Sequence, residues 1–169
     1  PTASNNTVTT NEDTDYTFTT DDFNYSDQDG DTLSSITVSA LTTNGSGSFT
    51  LNGTAITGST VVTKAQIDSG LLVFSPSLND NGSSYNTFTF TVNDGTTNSS
   101  SYTITIDVDP VNDAPVADNE TNTATEGTNL NARNGGSDDV LIGDTDIEND
   151  RLSVTPVSYT HLTLPTTDR

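Results

Sequence analysis

Residues 85–92, YNTFTFTV, and residues 101–108, SYTITIDV, alternate apolar side chains with threonine or other polar ones. This period of two is typical of a β-strand with one buried face, because successive side chains of a strand point to opposite faces of its sheet. The face expected to be buried carries Phe88, Phe90, Val92, Tyr102, Ile104, Ile106 and Val108. The two runs lie on either side of the turn signal Asp94-Gly95, and we expect them to close a hydrophobic core.

Five further strand-like runs precede this pair, and turn signals such as Asn52-Gly53 and Asn81-Gly82 separate them. They are residues 15–20, 33–41, 47–53, 60–63 and 71–75. One stretch, KAQIDSG (64–70), is typical of a single helical turn that ends at Gly70. Seven short strands in about 100 residues predict an all-β protein, a seven-stranded Greek-key sandwich of the immunoglobulin type.

The opening of the chain recurs about 114 residues later, where Pro115-Val116-Ala117 matches Pro1-Thr2-Ala3. Residues 124–130 match residues 10–16 in the same way, and GDTDIENDRLSV (143–154) matches YSDQDGDTLSSITV (25–38). A repeat of this length predicts domains in tandem. The expected organisation is a complete domain at 1–108, a linker at 109–117 and the first part of a truncated second copy at 118–155.

The end of the chain, VSYTHLTLPTT (157–167), departs from the repeat where more strand is expected. It resembles the translation of a transposon-type sequencing adapter, so we treat residues 156–169 as non-native and exclude them from fold reasoning. The only histidine, His161, lies in this tail. Because a nucleophilic triad needs a base, usually histidine, the sequence does not predict an enzyme.

The composition is strongly acidic, with 24 Asp and Glu residues against 4 Lys and Arg and a formal net charge of −20. Nucleic acid and anionic membranes are not expected as partners, because both are bound through basic side chains. The chain has no cysteine, which excludes disulfides and thiolate metal ligands. No apolar run approaches the roughly 20 residues that a membrane-spanning helix needs.

Acidic residues cluster at Asp27, Asp29 and Asp31, and no lysine or arginine occurs among the first sixty residues. Ca²⁺ takes about 6–8 oxygen ligands, and an Asp-x-Asp loop can direct two carboxylates to one side. Asp144-Thr145-Asp146 repeats the pattern in the second copy. The sequence therefore predicts Ca²⁺ as the cofactor. The alternative is that these aspartates only cap a turn, as Asp does well.

The chain resembles the cadherin-like repeats that occur in tandem in large bacterial surface and secreted proteins. The matching segments are VNDAPVA (111–117), SDQDGDTL (26–33), GDTDIENDRL (143–152) and FSPSLNDNGSSYNTFTFTVNDG (74–95). The resemblance implies an immunoglobulin-like sandwich that binds Ca²⁺ between consecutive domains. It also implies an extracellular spacer in a bacterial adhesin, whose partners are the neighbouring repeats of the same chain.

The resemblance further implies a set of ligands for one junction. Carried over by position, this set is Glu12, Asp80, Asn112, Asp113, Asp144 and Asp146. Asp27 and Asp29, with Asp31 beside them, would face a preceding domain. As alternatives, Glu12 is a plain surface carboxylate, and Asn112-Asp113 forms a turn before Pro115.

Carbohydrate binding is the second functional hypothesis, with an extracellular polysaccharide as the partner. Phe23, Tyr25 and Tyr85 could form an apolar platform for a sugar ring. The alternative is that these rings pack inside the sandwich or cover its end.

Overall fold

The computed structural model describes residues 1–43, 46–119 and 141–154. Within these ranges nine strands form two sheets, so the prediction of an all-β sandwich is confirmed. The strands are β1 (Asn6–Asn11), β2 (Tyr16–Thr17), β3 (Ser35–Thr43), β4 (Ser48–Leu51), β5 (Thr54–Ala55), β6 (Thr60–Thr63), β7 (Leu72–Ser75), β8 (Gly82–Asn93) and β9 (Tyr102–Asp109). A 3₁₀ helix (Thr20–Phe23) and the short helix α1 (Lys64–Asp68) complete the described elements.

The five-stranded sheet has the order β1-β9-β8-β3-β6 and the four-stranded sheet the order β2-β7-β4-β5. β8 and β9 pair antiparallel at the centre of the larger sheet, with Phe88 opposite Ile104. The residues predicted to close the core are buried there, except that Tyr102 is only partly buried. The period-two pattern therefore placed both strands and their buried face correctly.

Aromatic rings join the two sheets in the core. The ring centroid of Phe88 lies 5.5 Å from those of Phe18 and Phe49, in edge-to-face geometry. The ring centroids of Phe23 and Phe90 are 5.1 Å apart in the same geometry. Such edge-to-face pairs add about 0.5–1.5 kcal/mol each beyond the area that they bury. All six phenylalanines of the chain are buried in this core, where they pack among valine, isoleucine and leucine side chains.

The strand count exceeds the seven predicted, because β1 and β5 were missed. β1 buries Val8 and Thr10, and one apolar residue among threonines gives little alternation to detect. β5 has only two residues. The run at 15–20 forms a strand only at Tyr16–Thr17, because the chain then turns into the 3₁₀ helix. The side chain of Asp22 stabilises this turn by accepting a hydrogen bond from the backbone N–H of Thr19 at 2.7 Å.

Helix α1 is the single turn expected from KAQIDSG. The hydroxyl of Thr63 accepts from the backbone N–H of Gln66 at 3.2 Å, which caps the first turn. Gly70 follows the helix with φ of +68°, a left-handed conformation that favours glycine.

The strand directions define two ends of this sandwich. β1 and β9 run parallel, and β8 runs antiparallel to β9, so the ends of β1 and β9 lie beside the start of β8. We call this the lower end of the sandwich; it carries Glu12, Asp80, Asp109 and Val111. Asp94 follows β8 at the opposite end, and the bridge between Thr2 and Ser26 brings Pro1 and Asp27 there; we call this the upper end. The eight residues of β9 span roughly 25 Å at about 3.3 Å per residue.

The chain divides into two compact units, Pro1–Val111 and a second unit that begins at Asn112. In the second unit, residues 112–119 and 141–154 are described, and Val116 pairs with Thr145. The predicted match at 124–130 and the adapter-like tail at 156–169 lie outside the described residues. No helix in the described ranges is long and apolar enough to cross a membrane.

Candidate cation sites at the ends of the sandwich

The loop that carries Asp27 is fixed by its own backbone. Asp27 Oδ1 accepts from the backbone N–H groups of Asp29 at 2.8 Å and Asp31 at 3.2 Å. This oxygen therefore caps the turn, as the alternative interpretation proposed. The other oxygen, Oδ2, lies 3.0 Å from the terminal nitrogen of Pro1. The hydrogen bond from the Pro1 ammonium, followed by the one from Asp29, lowers the pKa of Asp27.

Asp94, which the sequence indicates only as part of the turn Asp94-Gly95, also lies at the upper end, where it and Asp27 both approach the nitrogen of Pro1. Its Oδ1 accepts from the backbone N–H groups of Thr97 and Thr96, both at 2.7 Å, and from the Thr96 hydroxyl at 2.8 Å. These bonds, with that from Thr97 the largest, lower the pKa of Asp94 to about 2. Asp94 Oδ2 lies 3.8 Å from the nitrogen of Pro1.

The two carboxylates at the upper end are well shielded from solvent. The side chain of Asp27 is 5% exposed and that of Asp94 is 7% exposed. Asp29 and Asp31 are exposed, and they contribute backbone groups: Asp31 O accepts from the Tyr25 hydroxyl at 2.9 Å. The structure therefore brings Asp27 together with Asp94 rather than with the side chains of its neighbours in sequence.

Glu12 is buried at the lower end, with 4% of its surface exposed. Its Oε1 accepts from the backbone N–H of Val111 at 2.6 Å, and its Oε2 accepts from Asn81 Nδ2 at 2.9 Å. The plain surface-carboxylate alternative is therefore wrong. No positively charged group forms an ion pair with Glu12 among the residues that the structure describes. A buried carboxylate without a counter-charge is uncommon, because its desolvation is costly.

Asp80 lies at the same end and is tied to an aromatic ring. Its Oδ2 accepts from the hydroxyl of Tyr85 at 2.7 Å, and that hydroxyl accepts from the backbone N–H of Ser77 at 3.3 Å. Burial, and then the hydrogen bond to Asp80, raises the pKa of Tyr85. Tyr85 therefore orients one oxygen of Asp80.

The loop of the second unit has the same backbone pattern as the loop of Asp27. Asp146 Oδ1 accepts from the N–H groups two and four residues ahead, those of Glu148 at 3.1 Å and Asp150 at 2.9 Å. Gly30 and Asn149 both have positive φ, +84° and +61°, at the matching position. In this hydrogen-bond pattern Asp146 corresponds to Asp27, and Glu148 corresponds to Asp29. The Asp-x-Asp match from the sequence, which placed Asp144 and Asp146 at these two positions, therefore lies two residues too early.

The remaining predicted ligands also lie in the second unit. Asp144 Oδ1 accepts from the backbone N–H of Asp118 at 2.9 Å, and Asp113 N donates to Glu148 Oε2 at 3.4 Å. Asn112, Asp144 and Asp146 line one cleft of about 480 Å³, whereas Asp113 does not line it. Three of the predicted junction residues are therefore brought together.

These arrangements fit a hard, oxygen-liganded cation only in part. Ca²⁺ takes about 6–8 oxygen ligands, and each end supplies carboxylate oxygens, which are of the right kind. Within the described ranges, however, no three carboxylate, imidazole or thiolate side chains come together as a metal site. Each end thus offers an incomplete ligand set.

A family model described as cadherin-like matches residues 1–108, the part that forms the two-sheet sandwich. The chain belongs to the cadherin-like family. No curated protein and no solved structure matches it. The matched residues include Asp27 and Asp94 of the upper end and Glu12 and Asp80 of the lower end.

The cadherin-like domain does not form the sugar platform predicted from three rings. Phe23 is fully buried against Phe90, and Tyr85 is 4% exposed and packs on Phe74. Both rings fill the core, so they cannot stack on a ligand. Tyr25 is only partly buried and lines a cleft of about 560 Å³. The other lining residues are Thr20, Asp21, Asn24, Asp31, Thr32, Leu33 and Lys64.

Proposed function

We propose that this chain is a calcium-binding, non-catalytic spacer from a bacterial adhesion protein at the cell surface or outside the cell. Membership of the cadherin-like family supports a structural or adhesion-type module. The observation that carries the calcium proposal is the presence of shielded carboxylates at both ends of one sandwich. Each set is incomplete, so a neighbouring domain would complete it.

The lower end supports this proposal through Glu12. Its carboxylate is buried with hydrogen bonds from two neutral donors and no ion pair in the described part of the chain. A divalent cation at this end would supply the missing counter-charge. The free lone pairs of Glu12 and Asp80 are available for it, since each carboxylate oxygen can accept more than one partner.

The second unit supports the tandem arrangement. The loop of Asp146 repeats the bonding of the Asp27 loop, with matching bridges at Val116–Thr145 and Thr2–Ser26. In a head-to-tail array, the lower end of one domain and the acidic loop of the next would share one cation. Such sites of extracellular modules bind Ca²⁺ with Kd of about 10⁻⁴ to 10⁻³ M.

Calorimetric titration of the chelator-stripped chain with Ca²⁺ tests the proposal. We expect binding in that range, and Glu12→Gln should weaken it at least several-fold because the substitution removes the buried charge. Asp15→Asn is a matched control, because this substitution also removes one carboxylate charge, but from a side chain that is exposed rather than buried. Equal affinities of the parent and Glu12→Gln, or no heat of binding at all, would contradict the proposal.

Carbohydrate binding is a second candidate because Tyr25 keeps part of its ring accessible in a cleft with Asn24, Asp21 and Asp31. An aromatic face beside amide and carboxylate groups can stack on a sugar ring and bind its hydroxyls. Titration with soluble glycans, followed by the NMR signals of Tyr25, tests this. If the Tyr25 signals of the parent do not change on addition of glycan, the cleft is not a carbohydrate site. The same conclusion follows if the remaining signals of Tyr25→Ala change as much as they do in the parent.

A further inference from the structure

Within the described ranges the two sheets have four edge strands, and three of them are short. β2 and β5 are the edges of the smaller sheet and have two residues each. β6 is one edge of the larger sheet and has four residues. Its last residue, Thr63, already donates its backbone N–H to the side chain of Gln66 at 2.9 Å. These three edges therefore offer little backbone to a further strand.

The fourth edge is β1, which is longer and unprotected. It pairs with β9 on one side, and no described strand lies on its other side. Its six residues, NTVTTN, include no charge, no proline and no bulge, which are the features that usually block an edge strand. An edge of this kind can accept a strand from another chain through its backbone groups.

The register of β1 shows which of its backbone groups face outward. Glu12 donates its backbone N–H to the carbonyl of Asp109 at 2.8 Å and so continues the parallel pairing with β9. Alternate residues of a strand direct their N–H and C=O groups to the same side. The even-numbered residues of β1 therefore face β9, and the odd-numbered ones face away from it.

Four of the outward groups make no hydrogen bond with the described residues. They are both backbone groups of Thr9, the carbonyl of Thr7 and the N–H of Asn11. The other two outward groups are used locally: the N–H of Thr7 donates to Asn6 Oδ1 at 2.9 Å, and the carbonyl of Asn11 accepts from Thr14 N at 3.3 Å. An antiparallel strand opposite Thr9 would satisfy all four unpaired groups at once.

The charges around β1 select the kind of strand that fits. Asp107 of β9 is opposite Thr9, and its side chain lies on the outer face of the sheet because both of its neighbours in β9 are buried. Asp109 follows at the end of the same strand and is exposed. Lys64 is the only lysine or arginine among residues 1–111, and it follows β6 at the opposite edge of this sheet. Long basic side chains of an added strand would reach the two carboxylates across β1, since neighbouring strands are about 4.8 Å apart.

We propose that β1 is a docking edge for an extended basic segment of another protein, which joins the larger sheet as an antiparallel strand. Lysine or arginine at alternate positions of that segment faces outward, within reach of Asp107 and Asp109. A second copy of this chain fits the same backbone pattern, but its net charge of −20 opposes the pairing. The inference goes beyond the proposed spacer and does not require Ca²⁺.

NMR titration of the full chain, in chelator and at low salt, with synthetic peptides tests the inference. The probe is a seven-residue peptide that alternates lysine with threonine, and its matched control alternates glutamate with threonine. We expect the lysine peptide to shift the amide signals of Thr9 and Asn11 and to slow the hydrogen exchange of these amides at least tenfold. The glutamate peptide should change neither.

Two methylated forms of the lysine peptide separate strand addition from attraction between charges. N-methylation of its lysine amides, which would face β1, should abolish binding, whereas N-methylation of its threonine amides, which would face away, should leave the affinity unchanged. Thr9→Pro removes an outward N–H where an edge strand tolerates proline, and it should weaken binding at least tenfold. Val61→Pro is the matched substitution in β6, where this N–H also faces away from the sheet, and it should bind like the parent.

The peptide comparison needs no substitution, so it does not depend on the folding of a variant. Equal binding of the two methylated peptides would overturn the inference, because attraction between charges would then explain the binding. Absence of shifts at Thr9 and Asn11 would also overturn it, as would equal binding by Thr9→Pro and the parent. Protection of these two amides without peptide, in a dimer of this chain, would assign the edge to a second copy and overturn the basic segment as its occupant.

Discussion

Glu12 holds the start of the outgoing linker to the sandwich, and replacing it should measurably destabilise the domain. Glu12→Ala removes the acceptor of two hydrogen bonds, from Val111 N and from Asn81 Nδ2. Hydrogen bonds to a charged group contribute about 1.5–3 kcal/mol each to stability, which gives about 3–6 kcal/mol for the pair.

Two effects reduce this value. Val111 is 42% exposed, so its N–H regains water when the carboxylate is removed. The substitution also relieves the cost of burying a carboxylate that lacks a counter-charge. We therefore expect the free energy of unfolding to fall by about 2–4 kcal/mol, given the typical size of these compensations. For a domain of this size that is a decrease in Tm of about 8–16 °C.

Urea denaturation in the presence of chelator, followed by far-UV circular dichroism, measures this change. Glu12→Gln keeps one carbonyl oxygen and should fall between the parent and Glu12→Ala. The control Asp15→Ala removes an exposed carboxylate and should stay within about 0.5 kcal/mol of the parent. If the free energy of unfolding of Glu12→Ala also stays within about 0.5 kcal/mol of the parent, the two hydrogen bonds to Glu12 do not stabilise the fold, which would contradict this prediction.

Three further outcomes follow from the core and the upper end. Phe88→Ala should lower the free energy of unfolding by about 3–5 kcal/mol in the same assay, because a fully buried ring leaves a cavity; a loss below 1 kcal/mol would argue against the described core. Gly47→Ala should cost about 1–3 kcal/mol, because its Cβ would lie 2.6 Å from the ring of Phe74; a neutral result would mean that the ring moves freely. The pKa of Asp94 is about 2, below the ordinary value near 3.9, so its contribution to stability is complete above about pH 4 and is lost as the pH falls towards 2. Acid unfolding curves of the parent and Asp94→Asn should therefore converge across this interval, and parallel curves would contradict the assignment.

The sequence predicted the elements whose pattern is repeated and local. β8 and β9 were found because Phe88, Phe90, Ile104 and Ile106 alternate with threonine over a full strand. β1 was missed because its buried face includes Thr10, and its place in the sheet depends on pairing with β9 nearly 100 residues away. Long-range pairing of this kind leaves no local signal.

The candidate sites show the same limit. Asp27 was found from the local Asp-x-Asp pattern, but Asp94 was not, because only the fold brings it to Pro1 and Asp27. The burial of Glu12 likewise depends on Asn81 and Val111, which are distant in sequence. For Phe23 the sequence left a sugar platform and core packing both open, because its sequence neighbours are acidic; the structure packs its ring against Phe90.

Small-angle X-ray scattering of a longer protein, in which a complete cadherin-like domain that includes Asp146 follows residues 1–111, tests most directly the proposal of a calcium-dependent spacer. We predict that millimolar-range Ca²⁺ increases the maximum dimension of the protein, and narrows the spread of that dimension, relative to the same protein in chelator. Matched Mg²⁺ and Na⁺ controls should not do so. Asp146→Ala, which removes a carboxylate from the second acidic loop, should abolish the change while leaving the first domain folded. Identical dimensions and spread with and without Ca²⁺ in the parent would contradict the claim.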